Sequence, residues 1–229
     1  MSLSPIKREL LESMFICEKP QKATEIAKDA KKAFQPVMMH LLGLTKMGYV
    51  ASPEKGLYLI SEKGKRELGI PETTKEKATA ILSYKPHDKA FHFYATVDKP
   101  LSFHAHNLRD FVTKIDKVDV ISLEFHLKRG DFEAWFKGIG DEGLVKKMAL
   151  LKKQNLTGDA LRMKLCEIVG NRYRMLAELT GQVFPEDQTE QHHHMHEHPH
   201  THDNCEHSHP HDHEHGHEDE HDHKHSNQT

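Results

Sequence analysis

Apolar positions recur at helical spacing three times in the first fifty residues. Ile6, Leu10, Leu11, Met14 and Phe15 form one stripe, opened by Ser4 as a cap and Pro5 at the first helical position. A short stretch, KATEIAKDA, turns Ile26, Ala27 and Ala30 inward, with Thr24 as its expected cap. In FQPVMMHLLGLTKMGYV the buried positions are Val37, Leu41, Leu44 and Met47, and Gly48 closes the helix. Two short alternating runs, YVAS and LYLISEK, flank the turn PEKG and read as a hairpin, after which EKGKREL opens a further helix.

After residue 70 the pattern breaks. The stretch 71–88 carries Pro71, Pro86 and several charges and reads as a linker, with Leu82 and Tyr84 available for packing. KAFHFYATV then alternates, with Phe91, Phe93, Ala95 and Val97 on one face and His92, Tyr94 and Thr96 on the other. HNLRDFVTKIDKV is helical, capped by Asn107, with Leu108, Phe111, Val112 and Ile115 as its stripe. DVISLEFHL alternates again, Ile121, Leu123, Phe125 and Leu127 against Ser122, Glu124 and His126, and reads as a second strand. Three helical patterns follow: DFEAWFKGI with Phe132, Trp135 and Phe136 inward, DEGLVKKMALLKKQ, and a long one from Thr157 to Gly181. The expected fold class is α+β: a helical N-terminal domain with a hairpin (1–70), a linker (71–88), a β-α-β unit covered by helices (89–183) and a tail (184–229) with too few apolar residues to order itself.

The order helix, short helix, longer helix and hairpin resembles the winged helix-turn-helix domains of arsenical-resistance and multiple-antibiotic-resistance repressors. The matching residues are ATEIAKDA, the link KKA, the helix FQPVMMHLLGLTKMGYV and the wing SPEKGLYLISEKG, with the exit L-x-x-L-x-x-x-G-Y-V from Leu41 to Val50. The resemblance covers roughly residues 5–69. It implies binding of double-stranded DNA, with the third helix in the major groove and the wing on phosphates. Carried over by position, the groove-facing set is Lys32, Gln35, Met38, Met39 and Leu42, with Gln35 suited to an adenine edge. Lys31, Lys32, Lys55, Lys63 and Lys65 would meet phosphates. Where such repressors place Ser, Thr, Arg, Gln or His, this chain has Phe34, Pro36, Met38 and Met39, a face suited to apolar contact with another protein. Both readings therefore stand at this point. The resemblance also implies a homodimer reading two half-sites, for which the helix 157–180 offers one interface. The middle region is similar to a small domain found mainly in archaeal proteins, through NLRDF, SLEFHLKRGDFEAWF and GDEGLVKKM; that likeness implies an architecture and no chemistry.

Charge divides the chain. Residues 1–85 hold 15 Lys and Arg against 10 Asp and Glu, residues 86–191 hold 16 against 16, and residues 192–229 hold 1 against 9. Sixteen of the 22 histidines lie in that last stretch: His192, His193, His194, His196, His198, His200, His202, His207, His209, His211, His213, His215, His217, His221, His223 and His225. They alternate with Glu, Asp, Pro, Asn, Ser and Gly, unlike an affinity tag. Neutral imidazoles at one-residue spacing, with carboxylates between them, suit exchangeable divalent transition metals, Zn or Ni above all.

Other chemistry is sparse. His92, Tyr94, Glu124 and His126 would share one face if the two strands paired, as a metal or acid–base set, although an ordinary polar sheet face is the simpler expectation. His104 and His106 flank a helix entry and read as loop histidines or an anion contact. Asp131 of the Arg-Gly-Asp triplet is expected to cap a helix. Cys17, Cys166 and Cys205 are odd in number and far apart, which fits a reducing, cytoplasmic setting, as does the lack of an apolar leader after the first basic residues. Nucleophile elbow and phosphate loop are missing, which argues against the familiar enzyme classes that use them. The expectation is a cytoplasmic DNA-binding regulator, metal-responsive or metal-buffering through its tail, with no membrane partner; the alternative is a metal-handling adaptor whose N-terminal domain binds protein.

Overall fold

The computed structural model describes residues 3–181, and the fold is a mixture of helices and short antiparallel strands. The tail histidines from His192 to His225 and Cys205 lie outside the described residues. The N-terminal elements are α1 (Pro5–Cys17), β1 (Gln21–Lys22), α2 (Ala23–Asp29), α3 (Phe34–Lys46), β2 (Val50–Ala51), β3 (Leu57–Ile60) and α4 (Glu62–Glu67). Pro5 starts α1 as expected, and Glu18, in a left-handed conformation, ends it. Helix α2 begins at Ala23, one residue before the expected cap; the Glu25 carboxylate accepts from the Lys22 amide at 2.9 Å and takes over the capping role. The three strands form an antiparallel sheet in the order β1-β3-β2, with Gln21 opposite Tyr58 and Val50 opposite Ile60. Val37, Leu41 and Leu44 of α3 are fully buried against α1 and α2, which turns the opposite stripe of α3 to solvent.

The expected linker is itself packed. Residues Lys75–Leu82 form α5, capped by the Thr74 hydroxyl, and its Ala78 and Ile81 are buried against the long C-terminal helix α10 (Gly158–Thr180). The apolar period of this helix is only two buried residues long, too short to register beside the flanking prolines.

The β-α-β expectation is corrected. A hairpin, β4 (Phe91–Thr96) and β5 (Lys99–Ala105), is followed by five helices: α6 (Leu108–Ile115), α7 (Val120–Arg129), α8 (Asp131–Gly138), α9 (Glu142–Lys152) and α10. DVISLEFHL is helix α7 and not a strand. Its buried residues, Ser122, Leu123, His126 and Leu127, follow a helical stripe, while Ile121 is 58% exposed. Asp119 caps its start by accepting from the Ile121 amide at 2.9 Å, and Gly130, at φ +83°, ends it. The strand that does pair with β4 is β5, which contains Pro100; a two-stranded sheet has only edge strands, so the missing amide is tolerated. Asp131 is the first residue of α8 and does not cap it.

The buried apolar residues form one continuous cluster from Leu10 to Leu176. Within it sits an ion network. Glu18 at the end of α1 binds Lys147 of α9 and Lys65 of α4, each at 2.6 Å, and Arg172 of α10 binds Asp141 at 2.8 Å and the Thr73 hydroxyl at 3.1 Å. Lys147 is completely buried. Burial alone would raise the Glu18 carboxyl; the Lys147 and Lys65 ammoniums overcome it and hold Glu18 at about 2. No described helix is long and apolar enough to cross a membrane.

Candidate functional site: the helix α3 face and a histidine cluster

Two regions collect chemistry-bearing side chains. The first is the outward stripe of α3, where Gln35, Met39, Leu42 and Lys46 are all exposed. Its centre is apolar: Met39 is 73% and Leu42 55% exposed, with Phe34 at 46% beside them. Met38, expected on this face, is rotated off it and half-buried, with its sulfur accepting from the Tyr58 hydroxyl at 3.7 Å.

The expected phosphate cations separate into three groups. Lys31 and Lys55 are exposed and make no ion pair among the described residues. Lys32 is exposed but paired with Glu9 at 3.0 Å, a weak surface contact that another anion can displace. Lys63, exposed, and Lys65, partly buried, are engaged by the protein itself. Lys63 donates to the Met47 carbonyl at 2.8 Å and lies over the Tyr49 ring, clamping the end of α3. Lys65 bridges Glu18 and Glu62. Lys46, which sequence reasoning passed over, is exposed in the last turn of α3.

The second region is built on the hairpin. In β4 the side chains of Phe91 and Phe93 are buried, so His92 points to the other face. The register sets His92 opposite His104 of β5, and His106, two residues on, shares the face of His104 while Ala105 is buried. A short 3₁₀ turn at His87–Lys89 precedes β4 and brings His87 over the same face. Ligating nitrogens of His87, His104 and His106 all lie within 4.8 Å of one another. The His87 ring meets those of His92 and His104 edge-on at 4.6 and 5.2 Å, and Tyr84 stacks on His106 at 4.7 Å.

Backbone bonds hold this cluster. The His106 Nδ1 hydrogen donates to the Lys85 carbonyl at 2.9 Å, because a carbonyl can only accept, and the Lys85 amide donates back to the His106 carbonyl at 2.6 Å. His92 Nε2 donates to the His87 carbonyl at 2.8 Å. Asp110 accepts from the His106 amide at 3.2 Å. Desolvation, then the neighbouring His87, His106 and His92 and Lys114, hold His104 below the ordinary imidazole value. Sequence reading had His104 and His106 as a loop pair, grouped His92 with other residues and placed His87 in a linker. The joint signal was H-x₄-H followed by H-x-H in PHDKAFHF and FHAHN.

Of the expected set of His92, Tyr94, Glu124 and His126, the first two and His126 line one cavity, whereas Glu124 is carried away from it because α7 is a helix and not a strand. Glu124 instead accepts from the Gly158 amide at 2.7 Å and caps α10. His126 is buried beside a cavity of about 360 Å³ lined by Phe91, Tyr94 and Arg129. Its Nδ1 donates to Asp131 at 2.7 Å, and its Nε2 accepts from the Tyr94 amide at 2.9 Å. A His–Asp pair in a cavity invites a catalytic reading, but a ring with both nitrogens satisfied by the fold has no lone pair left for a general base. Cys17 is buried and Cys166 half-buried, and burial pushes both thiols up, opposite to an activated nucleophile.

Comparison with known protein families, curated proteins and solved structures gives no match to this chain.

Proposed function

We propose that residues 5–67 are a winged helix-turn-helix module and that the chain is a DNA-binding transcriptional regulator carrying exchangeable divalent metal, Zn or Ni, on its histidine tail. The observation that supports this most is the open stripe of α3: Gln35, Met39, Leu42 and Lys46 project together, with Lys31 before the helix and Lys55 in the hairpin turn. The order helix, short helix, longer helix and hairpin also supports the reading, with β1 as an added strand that the sequence reading did not include. In this reading Gln35 contacts a base edge, Met39 and Leu42 contact thymine methyl groups, and Lys31, Lys32, Lys46 and Lys55 contact phosphates. Lys63 and Lys65 support the fold and not the DNA. The protein acts as a homodimer on two half-sites.

Fluorescence anisotropy of the full chain on duplex DNA, at 50 and 200 mM salt, tests the reading. Lys31→Glu, Lys46→Glu and Lys55→Glu should each weaken binding and together flatten the slope of log K against log salt by about one unit per contact. No salt-dependent binding, or no effect of the triple variant, would refute it.

A second reading rests on the exposed Phe34, Met39 and Leu42, an apolar centre suited to a protein partner. Met39→Ala with Leu42→Ala separates the two. Loss of a protein complex with DNA affinity unchanged favours the adaptor.

A further inference from the structure

We propose that His87, His104 and His106 form a folded single-ion site for a divalent d-block cation, Zn²⁺ foremost, separate from the histidine tail. The site is independent of any role for α3.

The donor set is the first argument. Three imidazole nitrogens converge within 4.8 Å and no carboxylate is among them. All-nitrogen sites suit Zn²⁺, Ni²⁺, Co²⁺ and Cu²⁺, whereas Ca²⁺ and Mg²⁺ demand oxygen. Tetrahedral Zn²⁺ with bonds of about 2.0–2.1 Å puts its ligand nitrogens about 3.4 Å apart. Closing from 4.8 Å takes modest side-chain rotations, and His87, on its short turn, is the exposed member with room to move.

The second argument is preorganisation. His104 is fixed by its register against His92. His106 is tied by its Nδ1–H to the Lys85 carbonyl, which leaves Nε2 as the ring's only lone pair. A metal-bound histidine commonly makes this kind of bond through its other nitrogen, donating to a carbonyl to set the tautomer. His92 donates to the His87 carbonyl and so positions the turn that carries His87. The Asp110 carboxylate on the His106 amide adds negative charge beside the cluster. Three protein ligands leave a fourth position, on the exposed His87 side, for water or an exchanging ligand, the pattern of open zinc sites.

The tail supplies a competing sink of sixteen histidines, so the test must be residue-resolved. The metal-free full chain is labelled with diethyl pyrocarbonate, with and without Zn²⁺, and modified histidines are located by peptide mass spectrometry. His87, His104 and His106 should be protected at least tenfold at about one equivalent of Zn²⁺, ahead of most tail positions. Full protection of the tail with these three still fully reactive would overturn the proposal.

Thermal melting gives the second readout. A site present only in the native state stabilises it, whereas ligands equally available in both states do not. At about 100-fold excess over Kd the midpoint should rise by about 5–10 °C. The rise should vanish in His104→Gln and in His106→Gln; its persistence in both would also overturn the proposal. The labelling result stands on the wild-type chain, so a variant that folds poorly does not leave the question open.

Discussion

Both ring nitrogens of His126 are taken, and this makes the residue a pH sensor of stability. Desolvation holds it below the ordinary value, Asp131 partly opposes this through its hydrogen bond and charge, and Arg129 adds to the lowering. A second ring proton would also face the Tyr94 amide, donor against donor. With the folded value depressed, the unfolded chain takes the proton first as pH falls. The stability His126 contributes is complete above about pH 6.5 and declines below it, toward the folded value. Urea midpoints at pH 7.5 and 5.5 should show this decline in the wild type and a smaller one in His126→Asn; equal declines refute it. Glu18 has the same sign in a lower window, its contribution lost between about 4.5 and about 2. Glu18→Gln leaves the fully buried Lys147 without its partner and should cost about 3–5 kcal/mol by denaturant unfolding, whereas Glu18→Leu with Lys147→Met should recover most of that. Neither His126 nor Glu18 was readable as a linchpin from the sequence. Their partners, Tyr94 and Asp131 for one, Lys65 and Lys147 for the other, come from separate elements that only the fold brings together.

At the scale of elements, period and capping competed, and the segment 119–130 shows which prevailed. Its alternation of apolar and polar residues suggested a strand, yet the cap Asp119 and the terminator Gly130 were both present at helix spacing. Once α7 is a helix, His126 and Glu124 leave the predicted sheet face, and β5, obscured by Pro100, becomes the partner of β4. That substitution is why His92 was grouped with Glu124 and not with His104 across the hairpin, while the helices α1, α3, α8, α9 and α10 were legible. Glycines test the packing between elements. A Cβ at Gly64 of α4 would overlap the Tyr49 carbonyl, which already accepts from the Ser61 amide at 3.0 Å. Gly64→Ala should therefore destabilise by about 2–3 kcal/mol. Gly170, inside α10 with nothing near its missing Cβ, is the counterpart: Gly170→Ala should stabilise by about 1 kcal/mol. Denaturant midpoints that shift in the same direction for both variants would contradict this account of α4 against Tyr49.

On the scale of the whole molecule, the charge division along the chain sets the last expectation. Residues 1–85 carry a net +5 and residues 192–229 a net −8 with histidine neutral. If the N-terminal surface binds DNA as proposed, a tethered polyanionic segment should compete with phosphate for it, at an effective concentration fixed by the tether. Divalent metal, if the tail histidines take it up as proposed, would cancel that charge and should relieve the competition. A chain ending at residue 190, before the histidine run, is the natural comparison. At 50 mM salt the shortened chain should bind duplex DNA more tightly than the full chain, and Zn²⁺ should raise the affinity of the full chain alone. At 200 mM salt the difference should narrow, because screening weakens the tail's competition as well as the DNA contacts. The folded histidine cluster is present in both chains, so any metal effect seen equally in both arises there and not in the tail. Equal affinities of the two chains, with and without metal, would show that the two ends of the protein do not communicate through charge.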